Sequence, residues 1–299
     1  MRKMALKFAA TCFAAFLAAG IAAPKAMASA SLEGADCSEI NNSYDEDLVT
    51  VRGEQVLSAT AAQVALLRVI PSRNAGVTVQ GWDRNEFVIH VCKSAAAGTR
   101  EQAAELLNQI TATLESGTLR SEGPSARRWM AHFVINAPRA ASLNLQVENG
   151  PVSVRELTGK VEIHAENGPI AVKDCSGNVN ATSGNGPISF RGEGGSMNLK
   201  TQNGPISVQL SGSSWQGSGL EASTVNGPLT VEMPQEYGSG VAIETTGRSP
   251  FSCRAKGCDN ARANFSDELR SIQLGAGNTA VRVSTVNGPV SVRNRRADM

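Results

Sequence analysis

The chain has 299 residues, with 28 Lys and Arg against 27 Asp and Glu, and only 4% of it is aromatic. A near-neutral balance lacks the basic footprint of a nucleic-acid binder, and the length suits either one repeat-built domain or two compact ones. Glycine is frequent, at 29 residues, which suits repeated tight turns.

Arg2, Lys3 and Lys7 precede an apolar run from Phe8 to Ala23, followed by Ala26-Met27-Ala28 or, one step on, Ala28-Ser29-Ala30. A basic start, a short apolar stretch and an A-x-A site describe a secretory signal peptide over residues 1–28. A membrane anchor is the competing reading; the run is short for one and rich in alanine. Cys12 lies inside the run rather than at its end, which argues against a lipoprotein signal. No later stretch approaches the ~20 apolar residues of a spanning helix. Cleavage removes four bases and no acid, leaving 24 basic and 27 acidic side chains, net −3. The mature chain is thus expected to be soluble and exported, periplasmic or at the cell surface, without nucleic acid as a partner.

Residues 29–65 read as a weakly patterned polar leader with room for one strand. Asp45-Glu46-Asp47 there invites a calcium-loop reading, but the Gly and the distal Glu of such a loop are misplaced, and a solvated charge run explains the residues. Residues 66–140 read as irregular first coils. Asn74-Ala75-Gly76 with Val77-Thr78-Val79 begins a degenerate coil that runs through Gly81-Trp82-Asp83 to a strand at Phe87–Val91. A short helix is predicted over 99–108, where Thr99 and Gln102 make a capping pair and Ala103, Leu106 and Leu107 share a face. Ile110–Leu114 alternates as a strand, although the helix could run on into it. Thr118–Ser121 and Trp129–Asn136 are further strands.

The regular part spans residues 141–210. The triplet Asn-Gly-Pro recurs at Asn149-Gly150, Asn167-Gly168, Asn185-Gly186 and Asn203-Gly204, each 18 residues from the last, and returns at Asn226-Gly227 and Asn287-Gly288. After each triplet comes an apolar-small-apolar tripeptide, such as Ile170-Ala171-Val172 or Ile188-Ser189-Phe190; before it runs another alternating strand, such as Val161-Glu162-Ile163. Period-two alternation marks a strand with one buried face. Asn-Gly is expected to supply a positive φ, with Pro fixing the next residue. Gly159, Gly177 and Gly195 mark a second turn at the same spacing. One such coil cannot bury its apolar face, but stacked coils can. The expectation is an all-β, single-stranded parallel β-helix, a β-solenoid of 18-residue coils. Ile170, Ile188 and Ile206 would point inward and the asparagines would stack as an amide ladder. Residues 211–299 continue it as irregular and terminal coils: a Gly/Ser-rich insertion at Ser211–Gly219, two or three irregular coils between Val231 and Ala280, and a last triplet coil whose basic tail, Arg293, Arg295 and Arg296, protects an exposed edge.

Five cysteines follow the signal region. Cys253 and Cys258 close a short loop and are expected to pair, as are Cys37 and Cys92. Cys175 falls in the column of Leu157 and reads as a buried apolar filler. No His lies near Cys253 or Cys258 in sequence, which argues against zinc; no metal and no cofactor is expected.

The block Val77, Val79, Gly81-Trp82-Asp83-Arg84, Glu86 and Val88, followed by serial N-G-x-[IV]-x-V coils, resembles the bacterial putative-adhesin family of domains of unknown function. The resemblance covers about Leu66 to Val292. It implies an exported β-helix protein and carries over no catalytic residues.

Two functions from different classes remain. The outward column after the triplet strands reads Arg155, Lys173 and Arg191, with Glu156 and Asp174 beside it. Such a row could grip an anionic glycan or the acidic edge of an envelope protein; a solvated face of alternating sign is the simpler explanation. The first function is therefore a non-enzymatic, adhesin-like binding or scaffold protein of the cell envelope. The alternative is a carbohydrate-active β-helix enzyme, a polysaccharide lyase or hydrolase, which would need converging carboxylates or a base on one face. His90, His132 and His164 are scattered, and no nucleophile elbow, metal box or phosphate loop appears.

Overall fold

The computed structural model describes residues 35–40, 44, 47–72, 74–125, 128–246, 249–266, 268–275 and 277–295. The signal-peptide region, Asn41-Asn42-Ser43, the Asp45-Glu46 pair, Asp267 and Arg296 lie outside them. The fold is all-β, with one α-helix and two large, mostly parallel sheets.

The leader supplies a 12-residue strand, β1 (Val49–Thr60). Next come β2 (Leu67–Ile70) and β3 (Val77–Trp82), then β4 (Glu86–Ala97), helix α1 (Arg100–Asn108), β5 (Thr111–Glu115), β6 (Thr118–Glu122) and β7 (Trp129–Pro138). Thr99 caps α1 through Oγ1, which accepts from the Gln102 amide at 3.3 Å. The alternating stretch at Ile110–Leu114 is strand, so the helix does not run on.

The regular segment follows the triplets. Its strands are β8 (Leu143–Asn149), β9 (Val152–Arg155), β10 (Lys160–Asn167), β11 (Ile170–Lys173), β12 (Asn178–Asn185), β13 (Ile188–Gly192), β14 (Gly194–Asn203), β15 (Ile206–Leu210), β16 (Gln216–Asn226) and β17 (Leu229–Met233). Even-numbered strands pair in parallel in one sheet and odd-numbered strands in the other, each with its counterpart one repeat away. Val152, Ile170, Ile188 and Ile206 share a column, as do Leu145, Ile163, Ala181 and Leu199. Both columns belong to a single core, because period-two alternation sends every second side chain inward from each sheet. The Gly/Ser-rich insertion contributes Trp215, which packs on Phe190 with centroids 5.7 Å apart and donates from Nε1 to the Gly195 carbonyl.

Three expectations are corrected. The first concerns the degenerate coil. Strands β2 and β3 stack in parallel on β8 and β9, and Asn74 bridges Asn149. Phe87–Val91 is not part of that coil. It lies in β4, antiparallel to both β1 and β7, because the tight turn after Trp82 sends the chain straight back, as a short connection must.

The second concerns the region after β17, which holds β18 (Gly240–Thr246), β19 (Phe251–Cys253), β20 (Arg262–Phe265), β21 (Leu269–Leu274), β22 (Thr279–Asn287) and β23 (Val290–Asn294). Only part of it follows the repeat: β18 and β19 stack in parallel on β22 and β23, whereas β18, β21 and β20 pair antiparallel in succession.

The third is the place of the last triplet. β22 lies between β16 and β18, and β23 between β17 and β19. The Asn287 coil is thus inserted one position inside the stack, and β23 is not an exposed edge. The described edges are β1 and β19 in one sheet and β20 and β5 in the other. The physical reason lies in Asn226, whose side-chain oxygen takes the Asn287 amide at 2.9 Å. β18, Gly240–Thr246, contains no asparagine, and its pairing with β22 ends at Thr245 opposite Thr285, so it offers no such donor.

Candidate functional site

Alternation along β9, β11 and β13 sends Arg155, Lys173 and Arg191 to the outer side of one sheet, and the register makes them direct neighbours. Parallel strands space such a column by roughly 4.8 Å. Gln80 continues it on one side; Gln209, Glu232 and Arg293 continue it on the other. Lys173 and Arg191 are exposed; Arg155 is half-buried, and its Nε lacks a hydrogen-bond partner.

The acids beside the row adopt a conformation that the alternation rule does not anticipate. Glu156 and Asp174 have φ of 57° and 50°, in the left-handed region uncommon outside glycine. Asp174 stands 4.0 Å from the Arg191 guanidinium, and Glu156 binds Arg139 at 2.7 Å. Arg139 also holds Asp83 at 2.8 Å. The Arg139 hydrogen bond is the main cause that keeps the Glu156 carboxyl below the usual carboxylate range. Further along, Glu232 pairs with Arg293. The row therefore carries three consecutive cations, with an acid set against Arg191 and, among the described residues, no ion pair on Lys173.

The outer face of the other sheet bears a shallow polar groove of about 360 Å³, lined by Asn144, Gln146, Glu162, His164, Asn180 and Thr182. Its groups largely bind one another: Asn144 donates to Glu162 at 3.3 Å, Gln146 to Asn144 at 3.1 Å, and His164 Nδ1 lies 3.0 Å from Thr182 Oγ1. Lys160 sits 2.8 Å from Glu162 and is the main cause of its lowered pKa.

The triplet corners form three ladders. Asn167, Asn185, Asn203, Asn226 and Asn287 each donate a side-chain amide to the preceding asparagine at 2.9–3.0 Å, starting from Asn149. The glycines stack beside them. Gly150 and Gly168 take the expected positive φ, 156° and 150°, which side chains rarely adopt. Space demands glycine along the column as well: a Cβ on Gly168, Gly186, Gly204, Gly227 or Gly288 would sit 2.0–2.2 Å from the carbonyl oxygen of the previous glycine in the column. The third ladder was not read from the sequence. Thr201, Thr224 and Thr285 are buried, and their hydroxyls donate to the carbonyls of Gly186, Gly204 and Gly227 at 2.8–2.9 Å. They satisfy acceptors that the strand ladder leaves open. A signal existed: the motif is T-x-N-G-P, with Thr on the buried phase of the alternation.

Cys37 and Cys92 are bonded, as are Cys253 and Cys258. Cys175 is a buried free thiol, and burial pushes its pKa up to about 11. His132 is buried, with Nε2 at 3.1 Å from Thr78 Oγ1, and burial lowers its pKa to about 4. A cavity of about 360 Å³ lies near Tyr237, Lys256 and Arg262; Lys256 pairs with Glu236 there. The buried Tyr237 hydroxyl lacks a partner, and burial pushes its pKa up to about 12. Among the described residues, no group of three His, Cys, Asp or Glu side chains could hold a metal ion, and no helix is long and apolar enough to cross a membrane.

No family model matches the chain, and no curated protein matches it. Solved structures similar to it include a putative adhesin from Bacteroides fragilis NCTC 9343, at 12% identity and TM-score 0.37, covering 88% of this chain and 100% of that one. Another is a putative cell adhesion protein from Clostridium sporogenes ATCC 15579, at 9% identity and TM-score 0.32, covering 82% of this chain and 100% of that one. A third is a putative lipid binding protein from Parabacteroides distasonis ATCC 8503, at 12% identity and TM-score 0.26, covering 81% of this chain and 97% of that one. At such TM-scores the likeness decides nothing about function.

Proposed function

We propose that this chain is an exported, non-enzymatic binding protein of the cell envelope, a β-solenoid whose outer sheet face grips a linear anionic partner. The observation that carries this reading is the register of Arg155, Lys173 and Arg191, three cations in adjacent strands of one sheet. A row held by backbone ladders loses little ordering entropy on binding, and a stretched acidic glycan or an acidic protein edge can meet it residue by residue. Two disulfides support export, since such bonds persist in oxidising compartments.

The test is a triple change, Arg155→Ser, Lys173→Ser and Arg191→Ser, on side chains that point away from the core. Binding to an acidic polysaccharide and to envelope material is measured against salt. The parent should weaken as salt rises, because exposed charges are screened beyond ~8 Å at physiological ionic strength. The variant should bind less and lose most of that salt dependence. Equal binding by parent and variant would reduce the row to a solvated face.

A further inference from the structure

The inserted last coil has a consequence for how copies of this chain can meet. β22 and β23 fill a gap one coil wide. One wall is β16 and β17, the other β18 and β19. Leu220, Val281 and Val241 follow one another across the gap in a single buried column, and so do Ala222, Val283 and Ile243. Thr224, Thr285 and Thr245 make a third, also buried. The coil therefore binds both walls through apolar columns like those of the regular coils and a threonine like Thr201.

We propose that this gap is an acceptor for a coil of the Thr-x-Asn-Gly-Pro type, filled within one chain by residues 279–294 and, between chains, by the same segment of a second copy. Three observations carry the idea. An empty gap is untenable, because it bares the apolar columns of both walls and four open strand edges. Direct closure of the walls leaves Asn226 without its amide donor, since no Asn-Gly-Pro lies between Gly240 and Cys253. Finally, every ladder contact of the coil is made to its walls, so the contacts are the same whichever chain supplies it. Exchange of an identical element is a low-cost route between monomer and dimer.

Gly275, Gly277 and Asn278, on the link from β21 into β22, lie against the start of β18. Asn278 O there accepts from the Gly240 amide, and Gly275 has a φ of 76°. Four extended residues reach roughly 13 Å, so exchanging chains would abut at this end of β18.

The experiment uses two full-length chains, one carrying Ser223→Cys and the other Ser284→Cys. These positions are direct partners in β16 and β22. The chains are unfolded together with their native disulfides intact, refolded as a mixture, oxidised mildly and weighed without reduction. The expected product is a covalent heterodimer of twice the chain mass, joined by a 223–284 linked peptide. The double variant in one chain should cross-link internally. A mixture of Ser223→Cys with Ser189→Cys, which lies on the other sheet, should stay monomeric. The proposal is overturned if the 223/284 mixture yields only monomers while the double variant closes, if the 223/189 mixture cross-links as readily, or if the double variant does not close at all.

Discussion

Asn287 donates its side-chain amide to the Asn226 side-chain oxygen at 2.9 Å, across 61 residues of sequence. Between them the chain builds three further strands of the same sheet, β18, β20 and β21, yet none lies next to β16. The amide ladder thus runs unbroken through a break in chain order. Asn226 is a middle rung, since it also donates to Asn203 at 3.0 Å. Asn226→Ala should remove both bonds and cost about 1–2 kcal/mol, since each exposed bond nets roughly 1 kcal/mol. Urea unfolding measures it; an unchanged midpoint with an unchanged slope would show that the ladder is only a decoration.

The glycine column gives a sharper contrast. A Cβ at position 186 would stand 2.1 Å from the Gly168 oxygen, a backbone atom that cannot move without shifting the strands on either side of it, whereas one at position 98 would have only the far end of Gln102 at 3.7 Å. Gly186→Ala should destabilise the protein at least as much as Ile188→Ala, a buried large-to-small change expected to cost ~2–5 kcal/mol. Gly98→Ala should leave stability within about 1 kcal/mol of the parent. Thermal melts of the three variants give the ranking. A Gly186→Ala variant that melts like Gly98→Ala would refute the steric account.

His132 makes the fold sensitive to mild acid. Its folded pKa, about 4, lies below the ordinary histidine value of 6.5 because of burial, so the unfolded chain takes a proton in a range where the folded chain does not. Stability from this residue is complete above about pH 6.5 and falls as pH drops towards 4; below that both states are protonated and the loss stops. At pH 5 the loss should be about 2 kcal/mol relative to pH 7, at about 1.4 kcal/mol per pH unit. Urea unfolding at both values, for the parent and for His132→Gln, isolates the effect. The drop between pH 7 and pH 5 should be smaller in the variant, and equal drops would remove His132 as the cause.

The cysteines are separable by chemistry. Burial holds the Cys175 thiol near a pKa of about 11, so its thiolate, the reacting form, is scarce at pH 8. Native protein treated with iodoacetamide should remain largely unlabelled, and denaturation without reductant should release one reactive thiol. Peptide mapping should then recover Cys37 linked to Cys92 and Cys253 linked to Cys258. Rapid labelling of native protein would contradict the buried placement.

Much of the regular segment was legible because its information is local and repeated. Ile170, Ile188 and Ile206 sit on the buried phase of an alternation, and the 18-residue spacing sets their register. The row of Arg155, Lys173 and Arg191 follows from the same count. The acids beside it were legible as residues but not as geometry, since nothing local announces that Glu156 and Asp174 take a left-handed φ. The threonines under the glycine carbonyls were missed for a different reason. Alternation shows that Thr201 and Thr224 face inward, but a buried hydroxyl needs a known acceptor before it reads as anything but filler.

The sequence by itself determined the strands, the corners and the register of the repeats, because a period of two and a period of 18 are properties of a single stretch of chain. Only the tertiary structure decided which strand lies beside which where the repeats loosen. Leu220, Val241 and Val281 are equivalent by pattern, so alternation cannot rank them as neighbours. In the observed order β16, β22, β18, Asn287 gives Asn226 the side-chain donor that β18 lacks. In the same way, Phe87–Val91 alternates like any coil strand, yet it runs antiparallel between β1 and β7. The turn before it folds the chain back before a crossover can form, and a strand's direction depends on its connection rather than on its own residues.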